Sequence, residues 1–314
     1  MARRRSDTNR SNPKGKKRKW LKITLITAFV ILLAAGTYLF IVWRSLSNAL
    51  EAMHQPIRES DKREEKLSLD NSEPFSVLLL GVDERQGDRG RSDTMIVLTV
   101  NPKKESVQMV SIPRDTRVEI VGRGTLDKIN HAYAFGGVEM SIATVEKFLD
   151  IPIDYFIQIN MEGFRDIVDA VGGVKVYNDL EFDYGGHHFA KGELTLNGDE
   201  ALSFVRMRKE DPRGDFGRQM RQREVIEAII KEGASLKSLA NFNDIFTALG
   251  NNVRTNLTFG EMVDIQSKYR AAAKNIEQHQ IRGSGTMING IYYYIVPQEE
   301  QEALKQLLQT HLEI

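Results

Sequence analysis

Residues 75–113 read FSVLLLGVDERQGDRGRSDTMIVLTVNPKKESVQMVSIP, and three apolar runs stand out within them. FSVLLLGVD, TMIVLTVNP and SVQMVSIP are rich in branched aliphatic residues and predict buried strands. Asn101-Pro102-Lys103-Lys104, between the second and third, predicts a hairpin turn. If the three strands form an antiparallel meander, the end of the first, the start of the second and the end of the third share one edge of the sheet.

That edge collects the unusual residues. Asp83 and Arg85 follow the first strand in GVDER, Arg91 and Asp93 precede the second in GRSDT, and Arg114 and Asp115 follow the third in SIPRDT. Two carboxylates with no histidine or cysteine beside them suit a hard cation such as Mg²⁺, which completes its shell with water and phosphate oxygens. Neighbouring guanidiniums are suited to gripping phosphate in two-point contacts. The competing reading is a set of loop ion pairs on a solvated edge.

A second basic concentration lies at 206–223, RMRKEDPRGDFGRQMRQR, with seven basic residues against three acidic ones. Arg206 and Arg208 share a face if that segment is extended. A helix is expected over 216–231 with Asp215 as its N-cap, and its 3.6-residue period aligns Arg218, Gln222, Val225 and Ile229, with Arg221 at the margin. A stripe that is polar at its start and apolar at its end suits a helix whose first turns line an anion pocket.

Further out, helices are expected at 138–149, 161–171 (stopped by Gly172-Gly173), 198–204, 258–273 (Thr258 and Glu261 forming a capping box) and from Pro297. Short strands are expected at 173–177, 180–189, 278–281 and 288–296. The fold class is therefore α/β, a single domain at 75–314 with a central mixed, largely antiparallel sheet flanked by helices.

The N-terminal region differs in kind. Residues 1–44 hold 11 Lys/Arg against Asp7 alone, leaving a net charge of −10 on the rest of a chain whose formal total is zero. The 21 uncharged residues of 23–43, ITLITAFVILLAAGTYLFIVW, would span roughly 32 Å as a helix, enough for a hydrocarbon core of about 30 Å. The run stays apolar beyond Ala34-Ala35-Gly36, so an uncleaved anchor is expected and not a removed signal peptide. The expected plan is a cytoplasmic basic arm (1–22), a transmembrane helix (23–43), a charged juxtamembrane stalk (44–74) and an extracytoplasmic domain. Such an arm beside a span signals topology and not nucleic-acid binding. The absence of cysteine excludes disulfides, thiolate nucleophiles and cysteine-ligated metals.

Taken together, LLLGVDER, RSDTMIVLTVNP, SIPRDTRV, KINHAYAFGG and LNGDEALSFVRMRKEDPRGDFGRQMRQREVI resemble the LytR-CpsA-Psr family of Gram-positive envelope proteins. The resemblance implies a phosphotransferase in cell wall assembly that moves a polyprenyl-pyrophosphate-linked anionic glycopolymer, wall teichoic acid above others, onto peptidoglycan at the cell membrane, with pyrophosphatase activity on the side. It makes Asp83 and Asp93 the Mg²⁺ carboxylates and counts Arg114 with them as catalytic. It assigns Arg91, Arg114, Arg206, Arg208, Arg218 and Gln222 to pyrophosphate binding, with Arg85 and Arg221 as second-tier contacts. Asp83 and Asp93 are both candidate general bases. Lys128, Asn130 and His131 of KINHAY receive no role. An apolar path for the lipid tail could use faces holding Phe135, Ile142, Val145, Phe164 and Val168. The alternatives are a non-catalytic lipid-pyrophosphate binding or regulatory protein and a capsular polysaccharide transferase.

Overall fold

The three apolar runs form strands β1 (Phe75–Val82), β2 (Ser92–Asn101) and β3 (Ser106–Ser111) in a computed structural model of the chain. The structure describes residues 50–63, 65–83, 90–234 and 252–314, with 20, 25–34, 36, 37, 40, 44 and 47 in the N-terminal stretch. After β3 come β4 (Arg117–Ile120), β5 (Thr125–Lys128), helix α1 (His131–Leu149), β6 (Tyr155–Ile159) and α2 (Met161–Ala170). Next are β7 (Val174–Asn178), β8 (Phe182–Tyr184), β9 (His187–Phe189), β10 (Gly192–Leu196), α3 (Gly198–Arg206) and α4 (Asp215–Gly233). The described chain ends with β11 (Val253–Thr255), α5 (Phe259–Lys268), β12 (Ile276–Gln280), β13 (Ser284–Ile288), β14 (Ile291–Ile295) and α6 (Gln298–Leu312).

The central sheet has the order β11-β6-β1-β2-β3-β12. The antiparallel meander forms as expected, with Leu80 opposite Met95 and Leu98 opposite Met109. Two parallel pairs flank it, β6 on β1 and β12 on β3. Alternate residues feed two cores, which is why the strands read as continuous apolar runs. Leu78, Leu80, Met95, Val97 and Val110 pack with Val145 and Leu149 of α1 and Leu304 and Leu308 of α6. Val77, Leu79, Ile96, Leu98 and Met109 pack with Ile226 and Ile230 of α4 and Ile265 of α5. Each such fully buried aliphatic side chain stabilises the fold by about 1.5–3 kcal/mol.

A third cluster gathers Val168, Phe182, Phe189, Phe204 and Val225 under α2, α3 and α4. This corrects the expected lipid path. Ile142 and Val145 belong to the α1 core and Phe164 and Val168 to the third cluster, while Phe135 lies at the surface under the Arg123 guanidinium, 4.1 Å from its ring centroid. Those five residues do not line one tunnel.

Other boundaries shift for physical reasons. Gly137 (φ 67, ψ −148) breaks α1 at a conformation that lacks a Cβ penalty only for glycine, so the helix expected at 138–149 follows the kink and a further helical turn precedes it from His131. The Thr258/Glu261 capping box forms as expected. Asp215 is not the N-cap: Gly214 holds that position without a side-chain bond, and Asp215 is the first helical residue.

The chain divides into the units Met1–Asn48 and Ala49–Ile314. In the first, residues 25–34 are helical. Among the described residues no helix is long and apolar enough to cross a membrane. Part of the expected span at 23–43, and the basic arm apart from Trp20, lie outside the described residues. In the second unit, the segment read as a stalk is laid against the domain from Met53 onward. Met53 is 2% exposed, Gln55 N–H donates to Thr255 O of β11 at 2.8 Å, and the Arg63 guanidinium pairs with Asp154 and donates to Pro74 O at 2.8 Å.

Candidate active site at the end of the central sheet

The register of β1 and β2 breaks between Gly81 and Val82, with Gly81 opposite Thr94 and Val82 opposite Ser92. Such a bulge re-aims side chains at the end of a strand pair. Asp93 sits in it, and Asp83 lies one residue beyond β1 on the neighbouring strand; both are half-buried. Arg91, two residues before Asp93, is exposed, and Arg85 lies outside the described residues.

Arg114, three residues past β3, reaches across to this corner. Its Nη1 donates to Asp93 Oδ1 at 2.7 Å, and its Nε is 3.8 Å from Asp115 Oδ2. Burial pulls the Arg114 pKa down, but the Asp93 hydrogen bond and the Asp93, Asp215 and Asp115 charges raise it overall.

The first turns of α4 supply the opposite wall. Arg218 is largely buried, and its Nη2 lies 2.6 Å from Asp215 Oδ1. That contact is close but off the angle of a hydrogen bond, so Arg218 Nε and Nη2 and Asp215 Oδ1 are left without hydrogen-bond partners. Burial lowers the Arg218 pKa, and the charges of Arg114 and Arg208 lower it further against the opposing pull of Asp215 and Asp93. Arg208 Nε is 3.7 Å from the same Asp215 oxygen. Three guanidiniums thus meet three carboxylates, Asp93, Asp115 and Asp215, and buried N–H groups of Arg218 remain unfilled. This is the electrostatic profile of an anion site, reinforced by the N-terminal end of a helix.

α3 ends at Arg206, and Met207 is extended (φ −59, ψ 132), so Arg206 and Arg208 are both exposed with Met207 buried between them. The segment is not the extended one that a shared face supposed, since Arg206 is the last residue of the helix, but both arginines are open to solvent. Gln222 lies one turn after Arg218 and is half-buried.

Arg221 is the exception. It is 1% exposed, and its Nε donates to Phe204 O at 3.0 Å, its Nη1 to Asp211 Oδ2 at 2.6 Å and its Nη2 to Met207 O at 2.6 Å. The guanidinium also faces the rings of Phe182 and Phe204, 5.3 and 5.9 Å from their centroids. Every nitrogen is engaged inside the fold, so Arg221 braces the Met207 turn that presents Arg206 and Arg208 instead of meeting a ligand. Gly217 leaves room for this arrangement, since a Cβ there would collide with the Asp211 carboxylate.

Sequence reasoning missed the groups alongside Arg114. Asp115 Oδ1 accepts from Lys128 Nζ at 2.6 Å, Asn130 N–H donates to Arg114 O at 3.3 Å, and His131 Nδ1 lies 2.8 Å from Asp127 Oδ2. The clue available was the KINHAY segment, whose lysine, asparagine and histidine are left without a role.

A divalent cation would fit the Asp83/Asp93 corner in kind: two carboxylates at the ends of neighbouring strands are anchors of the type Mg²⁺ uses. Among the described residues no group of three or more His, Asp or Glu side chains converges, so two carboxylates would be the whole acidic contribution.

An α/β domain with a corner of arginines and carboxylates at the end of its central sheet defines the class, and the chain belongs to the LytR-CpsA-Psr family, whose model matches residues 40–310. It is 52% identical over 297 residues to the polyisoprenyl-teichoic acid--peptidoglycan teichoic acid transferase TagU of Bacillus subtilis (strain 168), covering 94% of this chain and 96% of that one. The crystal structure of B. subtilis TagU superposes with a TM-score of 0.63 over 77% of this chain and 98% of that one. A structure of TagT bound to LIIa-WTA, 35% identical, superposes at 0.70 over 82% and 97%.

Proposed function

We propose that the protein is a membrane-anchored transferase that moves a polyprenyl-pyrophosphate-linked teichoic acid onto peptidoglycan in cell wall assembly. The observation that carries this reading is the buried, unfilled guanidinium of Arg218, set with Arg114 and Arg208 beside Asp93 in a chain 52% identical to a teichoic acid transferase over nearly its full length. The 21-residue apolar run preceded by ten basic residues supports an N-terminus held in the cytoplasm and a domain outside.

In this mechanism Arg114, Arg206, Arg208 and Arg218 hold the pyrophosphate oxygens, with Arg91 and Gln222 at the rim. Asp83 and Asp93 would hold Mg²⁺, which supplies neutralising charge to the pyrophosphate. A peptidoglycan hydroxyl oxygen attacks the polymer-side phosphorus, the bond from that phosphorus to the bridging oxygen breaks, and polyprenyl phosphate departs with the electron pair. Guanidiniums fixed before reaction stabilise the charge that redistributes in the transition state. Water in place of the sugar hydroxyl would give the pyrophosphatase side reaction. A pure binding protein has no use for two carboxylates in its anion pocket, because they weaken anion affinity.

The test is transfer of a synthetic lipid-linked saccharide to peptidoglycan oligomers. Asp83→Ala and Asp93→Ala should each abolish transfer while remaining folded, and chelation should abolish wild-type turnover. Full activity of both variants with unchanged metal dependence would refute the assigned corner.

A further inference from the structure

The transfer reaction must remove a proton from the attacking hydroxyl, and two carboxylates of the pyrophosphate corner, Asp93 and Asp115, are poorly placed to take it. Asp93 Oδ1 already accepts from Arg114, and Asp115 accepts from Lys128. Carboxylates neutralised in this way are weak bases.

Beside them stands a different arrangement. Asp127 closes β5 with Lys128, and His131 opens α1 one turn later, with Nδ1 of the imidazole 2.8 Å from Asp127 Oδ2. The other Asp127 oxygen accepts from the Lys128 backbone N–H at 2.7 Å and faces the Tyr293 hydroxyl at 3.5 Å. A carboxylate held from both sides fixes the ring and its tautomer: Nδ1–H donates to Asp127, and Nε2 carries the lone pair. Nε2 bonds to no described residue, and the side chain is 21% exposed, so an incoming group can reach it.

The chain path sets this pair next to the phosphate corner. Asn130 N–H bonds the Arg114 carbonyl, and Lys128 Nζ bonds Asp115, whose second oxygen faces Arg114 Nε. Asn130 itself is 4% exposed with Oδ1 unpartnered, an open acceptor on the residue preceding the imidazole. The cations around the pair rest on its aromatic neighbours: Arg117 and Lys128 lie over the ring of Tyr293, and Arg123 lies over Phe135, whose ring is 5.9 Å from that of His131.

We infer that His131, oriented by Asp127, is the general base for the acceptor hydroxyl. This rests on the transferase reading above. The hydroxyl proton passes to Nε2 as its oxygen bonds to the polymer-side phosphorus, the phosphorus–oxygen bond to polyprenyl phosphate breaks, and the imidazolium later returns the proton to water. Asp127 is a positioning residue, acting through the ring.

The experiment measures transfer to peptidoglycan oligomers across pH 5 to 9, alongside binding of the lipid-linked donor, for wild type, His131→Gln, His131→Ala and Asp127→Asn. Positioned general bases contribute roughly 10²- to 10⁴-fold, so His131→Gln should lose at least about 10²-fold in kcat with donor affinity unchanged. The pH profile of turnover should change shape between wild type and His131→Gln. Added imidazole should restore part of the His131→Ala rate, which a merely structural histidine would not allow. Asp127→Asn, nearly isosteric, should lower kcat while donor binding persists, and it carries the test should the histidine variants fail to fold. Wild-type turnover and pH profile in His131→Gln, or a loss confined to donor affinity, would overturn the inference. Wild-type protein that binds donor but transfers none would instead overturn the transferase reading and this inference with it.

Discussion

Arg221 and Arg218 lie one turn apart on α4, and the structure gives them opposite tasks. Replacing Arg221 with methionine keeps much of the apolar stem but removes three hydrogen bonds and leaves the carbonyls of Phe204 and Met207 unpaired in the interior. It also strips one partner from Asp211, whose side chain is 0% exposed. Breaking a buried ion pair from one side costs about 3–5 kcal/mol. Arg213 still holds Asp211 through Nε at 2.9 Å and Nη2 at 3.0 Å, so the lower part of that range applies. A loss of about 3–4 kcal/mol corresponds to a fall in Tm of roughly 6–16 °C for a unit of this size. Acid dependence sharpens the test. Burial pushes the Asp211 pKa up, but bonds from Arg213 and Arg221 outweigh it and hold the group at about 2. Its stabilisation is therefore present above the unfolded carboxylate range near 4 and is lost as pH falls through about 2. The Tm gap between wild type and Arg221→Met should be wide at pH 7 and narrow toward pH 2. Arg218→Ala should behave in reverse. Its buried guanidinium has unfilled N–H groups and a lowered pKa, so stability should change little. Losing a charge-assisted phosphate contact of about 1.5–3 kcal/mol should reduce donor affinity or turnover roughly 10- to 150-fold. Calorimetric melting and the transfer assay read the two effects separately. A stable Arg221→Met protein with the catalytic defect of Arg218→Ala would refute the division of labour.

Gly217→Ala should destabilise the same bracket by about 1–3 kcal/mol, because the added Cβ meets the Asp211 carboxylate; a melting temperature equal to wild type would show that Asp211 can move aside. Burial raises the Glu224 pKa to about 7, helped by the Asp179 charge and opposed by Arg221, Arg223 and Arg213. The folded state then holds a proton that the unfolded chain releases near pH 4.5, so stability declines as pH rises from there through about 7. Glu224→Gln should be more stable than wild type at pH 8, by about 1 kcal/mol after solvent screening, and equal to it at pH 4. A constant difference across that range would show that Glu224 is not the titrating group.

The meander was legible because three apolar runs follow one another with short connections, and chain direction then dictates which polar residues meet at their ends. β6 was harder to find. Tyr155–Ile159 is five residues between two helices and has no neighbour in sequence to pair with, so nothing local marks it as the parallel partner of β1. The division between Arg218 and Arg221 was hidden for a related reason. α4 lies between two cores, with Ile226 and Ile230 in one and Val225 and Ala228 in the other, so helical periodicity alone assigns no single buried face. Asp215 was misread as a cap because its role depends on Arg218 and Arg208, side chains whose positions only tertiary structure sets. The His131 pair stayed silent because Asp127 and His131 acquire meaning only once β4, β5 and Arg114 are brought together.

The order of strands also sets an order of events. The sheet's centre closes through hairpin-range contacts, but Asp154, just before β6, reaches Ser76 across 78 residues, and Glu277 in β12 reaches Gln108 across 169. A chain that emerges N-terminus first can therefore assemble β1, β2 and β3 early, while β3 presents an unpaired edge until β12, in roughly the last eighth of the polypeptide, arrives. Closing the longer loop adds only about 0.7 kcal/mol of entropy over the shorter, so the delay is one of waiting and not of cost. During that wait an apolar strand with open hydrogen-bonding groups is the surface most exposed to mispairing. A chain cut short before β12 keeps the arginines and carboxylates of β1 to α4 yet leaves that edge open for good.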